Sequence, residues 1–317
     1  MLCLVPESDD PFFNLAIEEI LLKDSDEEFI ILGINNQSVI IGKNQSAHRE
    51  VDTGFLYKNG IPVIRRISGG GTVFHDNGNL NFTFIRRCEE GKQIDFLKHT
   101  QPVMRFLSSL GVEAKFEGKN DLKVGGLKVS GNAEYVHHNR VLHHGTLLFS
   151  SSLDILRKCI RKDKSCYSTK AVESNPSPVM NLHTRLEDSF TDIYEFRSAM
   201  MDYFLGNIKG TVPYNLTHKE TENAESLAVA KYRSWDWNYA YGPEYTFKKG
   251  FYIHGEYFPC HLHVKDGVIA ECDFGGARQF VTVTKKLIGC RHMYQDILEI
   301  LEEEKVPISR EEVFNFF

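Results

Sequence analysis

Arg65-Arg66-Ile67-Ser68-Gly69-Gly70-Gly71-Thr72-Val73-Phe74-His75-Asp76 places three consecutive glycines between two runs, 62–67 and 72–75, that read as strands. Glycine weakens a strand, so three in a row belong where backbone takes positive φ or approaches another molecule with its N–H groups turned to an anion. Two arginines stand just before them. Guanidinium binds phosphate and carboxylate bidentately and keeps its charge, so the stretch reads as an anion site. It is not a P-loop, which needs Gly-Lys-Ser/Thr where this chain has Gly71-Thr72-Val73. Nor is it a dinucleotide loop, which needs glycine where Phe74 stands. A plain glycine turn inside a hairpin is the competing reading.

Outward from the loop, helix and strand signals are mixed. Asp10-Pro11 ahead of an apolar-periodic run over 12–23 reads as a capped helix. Short β-rich runs at 29–32, 38–41 and 80–85 are separated by Asn/Gly turns such as Asn77-Gly78-Asn79. Residues 95–110 read as a helix stopped at Gly111. Strands follow at 122–124, 127–136 and 141–149, the last two joined through His137-His138-Asn139-Arg140. The pattern predicts an α+β fold with mixed sheets, built largely from hairpins and flanked by helices. A long helix is expected over 186–205. The polar stretch 215–226 reads as a linker, giving one domain of 1–226 and a smaller α+β domain of 227–317. The smaller domain carries a hairpin signal at Asp266-Gly267 and helical segments near 293–304 and 309–316.

The chain has 317 residues, 42% of them hydrophobic, and a formal charge of −6. That charge argues against nucleic acid as a partner. Lys115, Lys119, Lys123 and Lys128 nevertheless form a local basic stretch suited to an acidic protein. No apolar run reaches membrane-spanning length, and Met1-Leu2-Cys3-Leu4-Val5-Pro6 leads into acidic residues without a leader pattern, so a cytoplasmic protein without a membrane partner is expected. Cysteines at 3, 88, 159, 166, 260, 272 and 290 are odd in number and lack CxxC pairing, which fits neither a disulfide framework nor a zinc ribbon.

Two further constellations carry chemistry. In Gly125-Gly126-Leu127-Lys128-Val129-Ser130-Gly131-Asn132-Ala133, Lys128 lies in a strand among glycines, from which its ammonium can reach across a groove while Val129 faces away. A surface lysine beside a turn is the plain alternative. In His143-His144-Gly145-Thr146, successive strand residues face opposite ways, so the two histidines cannot line one site. A zinc site joining them to His137 and His138 lacks a suitably spaced cysteine or carboxylate.

In order, the stretch 65–76, Asn79-Leu80-Asn81-Phe82-Thr83-Phe84, Asn120-Asp121, Lys128-Val129-Ser130-Gly131 and His143-His144-Gly145-Thr146 resemble the lipoate-protein ligase A family. The resemblance covers about 14–182, and Ser234-Trp235-Asp236-Trp237-Asn238 resembles that family's entry into a C-terminal accessory domain. It implies a biotin/lipoate ligase-like catalytic domain and a two-step reaction. Lipoate and ATP give enzyme-bound lipoyl-AMP and pyrophosphate, and the lipoyl group then passes to a lysine of an acceptor domain. Lys128 would bridge carboxylate and α-phosphate as the catalytic residue, with Mg²⁺ neutralising pyrophosphate.

The resemblance also implies an ATP and lipoyl-adenylate pocket. Arg66 would meet phosphate, with Ser68, Gly69, Gly70, Gly71, Thr72, Val73, Phe74 and His75 around the adenylate, and Asn120, Asp121, Ser130, His144 and Gly145 completing it. Three roles fit Asp121: orienting Lys128, contacting Mg²⁺, or taking the acceptor amine's proton. Phe82 and Phe84 fit a lipoyl tunnel or ordinary core. Residues 165–182, with Pro176 and Pro178, fit a mobile lid or a surface loop. The implied acceptors are lipoyl domains of 2-oxoacid dehydrogenase E2 subunits and the glycine cleavage H protein. The alternatives are an octanoyl- or lipoyltransferase of the same fold using Cys159 or Cys166, and a non-catalytic lipoate-binding protein. The arginine- and glycine-rich signature of biotin-protein ligase is absent.

Overall fold

A computed structural model describes residues 1–88, 94–186, 189–253, 255–277 and 280–317. They form two compact units. The first comprises Met1–Lys43, Pro62–Arg157 and Ser174–Arg233, and the second Asn44–Ile61, Lys158–Glu173 and Ser234–Phe317. The division is not one cut near 226, because two internal segments group with the C-terminal chain.

Fifteen strands are described: β1 Leu2–Leu4, β2 Phe29–Ile34, β3 Ser38–Ile41, β4 Val63–Arg65, β5 Val73–His75, β6 Asn79–Arg87, β7 Lys115–Glu117, β8 Asp121–Val124, β9 Leu127–His137, β10 Arg140–Leu148, β11 Tyr167–Thr169, β12 Val212–Tyr214, β13 Tyr245–Ile253, β14 Glu256–Lys265 and β15 Val268–Asp273. In the first unit an eight-stranded sheet has the order β12-β1-β2-β6-β10-β9-β8-β7, and a three-stranded sheet the order β4-β3-β5. The α+β expectation holds. Most neighbours pair antiparallel, but β1 runs parallel to β2 and β12, and β3 parallel to β4.

Register decides which face each side chain takes. On paired β6 and β10, Phe84 lies opposite His143, Thr83 opposite His144 and Phe82 opposite Gly145. Phe82 and Phe84 join a core with Val103, Phe106, Phe196 and Phe204, from helices Phe96–Ser109 and Ile193–Asn207. Thr83 and His144 take the other face, towards helix α1 (Pro11–Asp24). That helix starts as the sequence predicts, with Asp10 accepting from the Phe12 N–H at 3.0 Å and Pro11 in its first turn.

Two expected elements differ. The polar stretch 215–226 is mostly helix, His218–Leu227, because Thr217 and Glu220 cap each other's backbone and Ala224 supplies its buried contact. The helix expected over 186–205 begins only at Ile193, where Asp192 accepts from the N–H groups of Tyr194 and Glu195. Residues 187–188 of that expectation lie outside the described residues.

In the second unit, a four-stranded sheet has the order β11-β13-β14-β15. Asp266 and Gly267, with φ of 51° and 71°, make the tight turn between β14 and β15. The segment Asn44–Ile61 is tied in by His48, whose Nε2 lies 2.7 Å from the His292 carbonyl and whose Nδ1 lies 3.1 Å from Thr53 Oγ1. Among the described residues, no helix is long and apolar enough to cross a membrane.

Candidate functional site

The glycine loop is not a hairpin turn. β4 and β5, on either side of it, do not pair with each other, because β3 lies between them. The loop therefore crosses over the end of β3. There the Lys43 N–H donates to the Ser68 carbonyl at 2.8 Å, and a Cβ at Gly42 would stand 2.2 Å from the Gly70 oxygen. Of the three loop glycines only Gly70 has positive φ, 87°.

Arg66 shapes the loop from beneath. It is buried, and its Nε donates to Ser68 Oγ (2.9 Å), one terminal nitrogen to the Ile40 carbonyl (3.2 Å), and the other to the carbonyls of Gly69 (2.6 Å) and Gly71 (2.7 Å). Burial lowers its pKa to about 10, a drop that the nearby Glu18 carboxylate opposes. With two loop carbonyls turned inward, the N–H groups of Gly69, Gly70 and Gly71 donate to no acceptor among the described residues. A side chain at Gly69 would meet only open space. Three neighbouring amides without an acceptor among the described residues, set over a buried cation, form a cradle that could receive an anion.

Beside the loop, Ser68 Oγ lies 2.6 Å from His144 Nε2, and His144 Nδ1 lies 2.9 Å from Glu18 Oε2. The other Glu18 oxygen accepts from Thr83 Oγ1. His75 is buried with its Nδ1 3.0 Å from Asn35 Nδ2. Burial, with Arg66 and His144 nearby, pushes its pKa down to about 3, so it is a neutral imidazole. Val73 and Phe74 pair with β3, with Phe74 buried.

The same face continues onto β8 and β9. Between Leu122 and Lys123 the register steps, so that Leu122 opposes Ser130 and Lys123 opposes Lys128. The extra residue, Val129, re-aims Lys128 onto the face of Asp121 and Gly131, which strict alternation would deny it. Lys128 Nζ then pairs with Asp121 Oδ1 at 2.8 Å. A Cβ at Gly131 would stand 3.0 Å from that Nζ, so glycine leaves the lysine its path. Ala133, two residues on, lies beneath Gly70. The cradle and Lys128 thus share one face of the sheet.

Ser130 and Gly145 lie on the opposite, core-facing side. Ser130 Oγ accepts from Asn132 Nδ2 at 3.2 Å, and Asn132 Oδ1 and the Phe82 ring fill the space a Gly145 side chain would need. Asn120 sits between the faces, exchanging hydrogen bonds with Asn132 through both backbone and amide groups. Asn132 Oδ1 lies 3.2 Å from His143 Nε2, whose Nδ1 meets Glu134 Oε1 at 2.8 Å. His99 Nδ1 meets that same oxygen at 3.0 Å. These are hydrogen-bond distances in a packed setting, and they leave His143 buried with both ring nitrogens engaged. Phe82 and Phe84, both fully buried among core side chains, resolve to core.

The proline-bearing segment crosses both halves of the site. Ser174 Oγ accepts from the Thr72 N–H at 2.8 Å and stands against Gly71. The Lys128 N–H donates to the Pro178 carbonyl at 2.9 Å, and the Lys128 carbonyl accepts from Met180 at 3.0 Å. A cleft of ≈ 550 Å³ lined by Pro6, Asp10, Phe13, Thr221 and Arg233 involves none of these residues. Cys159 is buried with its thiol pushed up to about 12, and burial also raises Cys166. Both lie in the second unit. Sequence reading did not find Glu18 or Gly42. The signal for Glu18 was available: two consecutive acids, Glu18-Glu19, inside the apolar run Leu15 to Leu22.

Comparison with known proteins identifies relatives of the chain. Residues 10–205 match the lipoyl protein ligase A/B catalytic domain. The lipoate-protein ligase LplJ of Bacillus subtilis (strain 168) is 38% identical over 306 residues, spanning 92% of this chain and 91% of its own. Among solved structures, a bipartite lipoate protein ligase from Thermoplasma acidophilum, studied with its E2 lipoyl domain, superposes with a TM-score of 0.63 at 26% identity, covering 75% of this chain and 94% of that one. A lipoate-protein ligase A bound with ATP gives 0.63 at 26% identity, covering 75% and 96%.

Proposed function

Because the chain belongs to the lipoyl protein ligase A/B catalytic family, we propose a division of labour among its residues for a two-step ATP-dependent reaction. The protein is a lipoate-protein ligase. The lipoate carboxylate attacks the α-phosphorus of ATP, pyrophosphate leaves, and an acceptor lysine then displaces AMP from the acyl carbon. The first step brings two anions together, so the site must supply fixed positive charge and N–H donors. Lys128 bridges the carboxylate and α-phosphate, and Asp121 holds it over Gly131. The amides of Gly69, Gly70 and Gly71 meet phosphate, while Arg66 acts mainly by turning the loop carbonyls away from it.

Asp121 is the carboxylate beside Lys128, with one oxygen already on the ammonium. A single carboxylate suits Mg²⁺ that arrives with nucleotide and keeps water and phosphate oxygens as its other ligands. That ion would neutralise the pyrophosphate leaving group. Acceptors are lipoyl domains, with those of 2-oxoacid dehydrogenase E2 subunits and the glycine cleavage H protein as the expected substrates. Seven free cysteines suit a reducing, cytoplasmic setting.

The observation that carries this reading is the set of three unengaged amides on the same sheet face as the Lys128–Asp121 pair. Lipoate-dependent exchange of pyrophosphate into ATP tests it. Exchange that needs lipoate and is lost in Lys128→Ala supports the assignment, and lipoate-independent exchange or a fully active variant refutes it. A thioester route through Cys159 or Cys166 is disfavoured, since burial holds both thiols protonated at neutral pH.

A further inference from the structure

We propose that Arg161, Lys249 and the Tyr167 hydroxyl form an anion site on the second unit that takes a phosphate group. All three residues belong to that unit. Successive residues of β13 alternate, so Lys249 points to the same side as the buried Phe247 and Phe251 and stands opposite Cys260 of β14. Tyr167 of β11 pairs with Phe247 and therefore shares that inner face. The Arg161 guanidinium lies over the Tyr167 ring, 5.1 Å from its centroid. The Tyr167 hydroxyl and the Lys249 ammonium have the same titratable neighbours, Arg161, Cys166, Cys260 and Asp52, which places the two together.

The donors gathered there lack acceptors. Arg161 Nε donates to the carbonyls of His48 (2.9 Å) and Val51 (3.1 Å), which holds the guanidinium in place, but its terminal nitrogens donate to nothing among the described residues. Lys249, partly buried on the inner face, makes no hydrogen bond or ion pair among them either. Tyr167 is 6% exposed, and its buried hydroxyl has no partner. The carboxylates of the same segments are used elsewhere. Asp52 caps the helix Thr53–Asn59 through the Phe55 N–H at 2.8 Å, Asp163 takes the Ser165 N–H at 2.9 Å, and the buried Glu50 pairs with Lys164 at 2.9 Å.

Such an arrangement is unfavourable while it is empty of negative charge. Burial lowers the pKa of Lys249, and the neighbouring Arg161 lowers it further. A buried hydroxyl without a partner adds a desolvation cost of its own. One anion relieves all three groups. Donors that converge from a guanidinium, an ammonium and a phenol on separate segments suit the tetrahedral oxygens of phosphate better than a planar carboxylate. The inference does not depend on the ligase reading, since none of these residues belongs to the site around the glycine loop.

Free phosphate, pyrophosphate and the phosphate of AMP present the same oxygens, and titration separates them. The test uses the full chain as wild type, Lys249→Met and Tyr167→Phe, with calorimetric titration of each anion and melting temperatures with and without it. The glycine loop is the same in all three proteins, so any difference between them belongs to this site. For the anion that the site takes, Lys249→Met should weaken binding about tenfold or more, as for a hydrogen bond to a charged group, and Tyr167→Phe about two- to tenfold. Without anion the order reverses: both variants should melt at or above the wild-type temperature, because each removes a polar group that has no partner. Equal affinities of the three proteins for every anion, or a Tyr167→Phe chain that melts well below the wild type without anion, would overturn the proposal. Should Lys249→Met fail to fold, Tyr167→Phe decides through the same two measurements.

Discussion

Gly42 and Gly70 touch backbone to backbone: a Cβ on Gly42 would stand 2.2 Å from the Gly70 carbonyl oxygen. Neither partner can yield cheaply, because β3 is paired on both sides and the loop carbonyls on either side of Gly70 are held by Arg66. Gly42→Ala should therefore lift the loop, at a cost of about 1–3 kcal/mol typical of overpacking. Pyrophosphate exchange should fall much further than the melting temperature implies. Full exchange activity in Gly42→Ala would show that the crossing does not set the cradle.

Acid should weaken the fold through histidines that the structure keeps neutral. Burial lowers His75 to about 3 and His143 to about 4, whereas both titrate near 6.5 when unfolded. Between pH 6.5 and 4 the unfolded chain binds protons that the folded chain refuses, so this stability is present above pH 6.5 and is lost as pH falls. By pH 5 the loss is about 2 kcal/mol for each histidine. Denaturant midpoints at pH 7 and pH 5 should differ accordingly, and equal midpoints would contradict the buried neutral assignment.

A chain ending at Arg233 should not behave as an intact catalytic domain. Segments Asn44–Ile61 and Lys158–Glu173 group with the C-terminal chain, and His48, Tyr57 and Tyr167 lose their partners His292, Tyr294 and Tyr245 when it is removed. Exposing the buried His48 and Tyr167 predicts insolubility or loss of cooperative melting. A soluble, cooperatively melting truncation with normal exchange would show that the two segments fold without it.

Acceptor transfer should depend more on salt than activation does. Lys115 and Lys119 are exposed near the site, while Lys123 is paired with Glu117 at 3.1 Å and Lys128 with Asp121. Long-range attraction to an acidic acceptor raises the association rate and is screened by salt. Lys119→Glu should therefore slow transfer about two- to tenfold and spare pyrophosphate exchange. The same salt dependence in both half-reactions would remove the basic stretch from docking.

Local pattern made much of this legible. Asp10-Pro11 announces α1 because capping is chemistry between near neighbours, and Asp266-Gly267 announces its hairpin for the same reason. Gly69, Gly70 and Gly71 mark by composition the loop whose amides find no acceptor among the described residues. What the chain did not disclose is set by partners distant in sequence. That β3 lies between β4 and β5, converting a suspected hairpin turn into a crossing, depends on pairing choices that alternation cannot specify. Lys128 faces the site only because Val129 is an extra residue against β8. Residues 215–226 read as linker because a helix that buries one alanine shows almost no apolar period, although Thr217 and Glu220 carried the capping signal.

Lys128 and the two candidate cysteines separate ligase from transferase chemistry. Lys128→Ala removes the charge that joins two approaching anions, but its side chain is partly exposed and packs little, so the fold should survive. Losing a preorganised group of this kind costs about 10² to 10³ in rate, roughly 3–4 kcal/mol, and here it also frees Asp121 from its partner. Asp121→Asn keeps the side-chain volume and weakens the hold on Lys128, so it should cost less than Lys128→Ala and act in the same half-reaction. Cys159→Ser and Cys166→Ser should leave both half-reactions within about twofold, because burial keeps the thiols protonated and the activated acyl group is carried on phosphate. Rapid-quench detection of lipoyl-AMP in the four variants reads the difference directly. Lipoyl-AMP formation that persists in Lys128→Ala, together with acyl transfer that fails in Cys159→Ser or Cys166→Ser, would replace the adenylate route with a thioester.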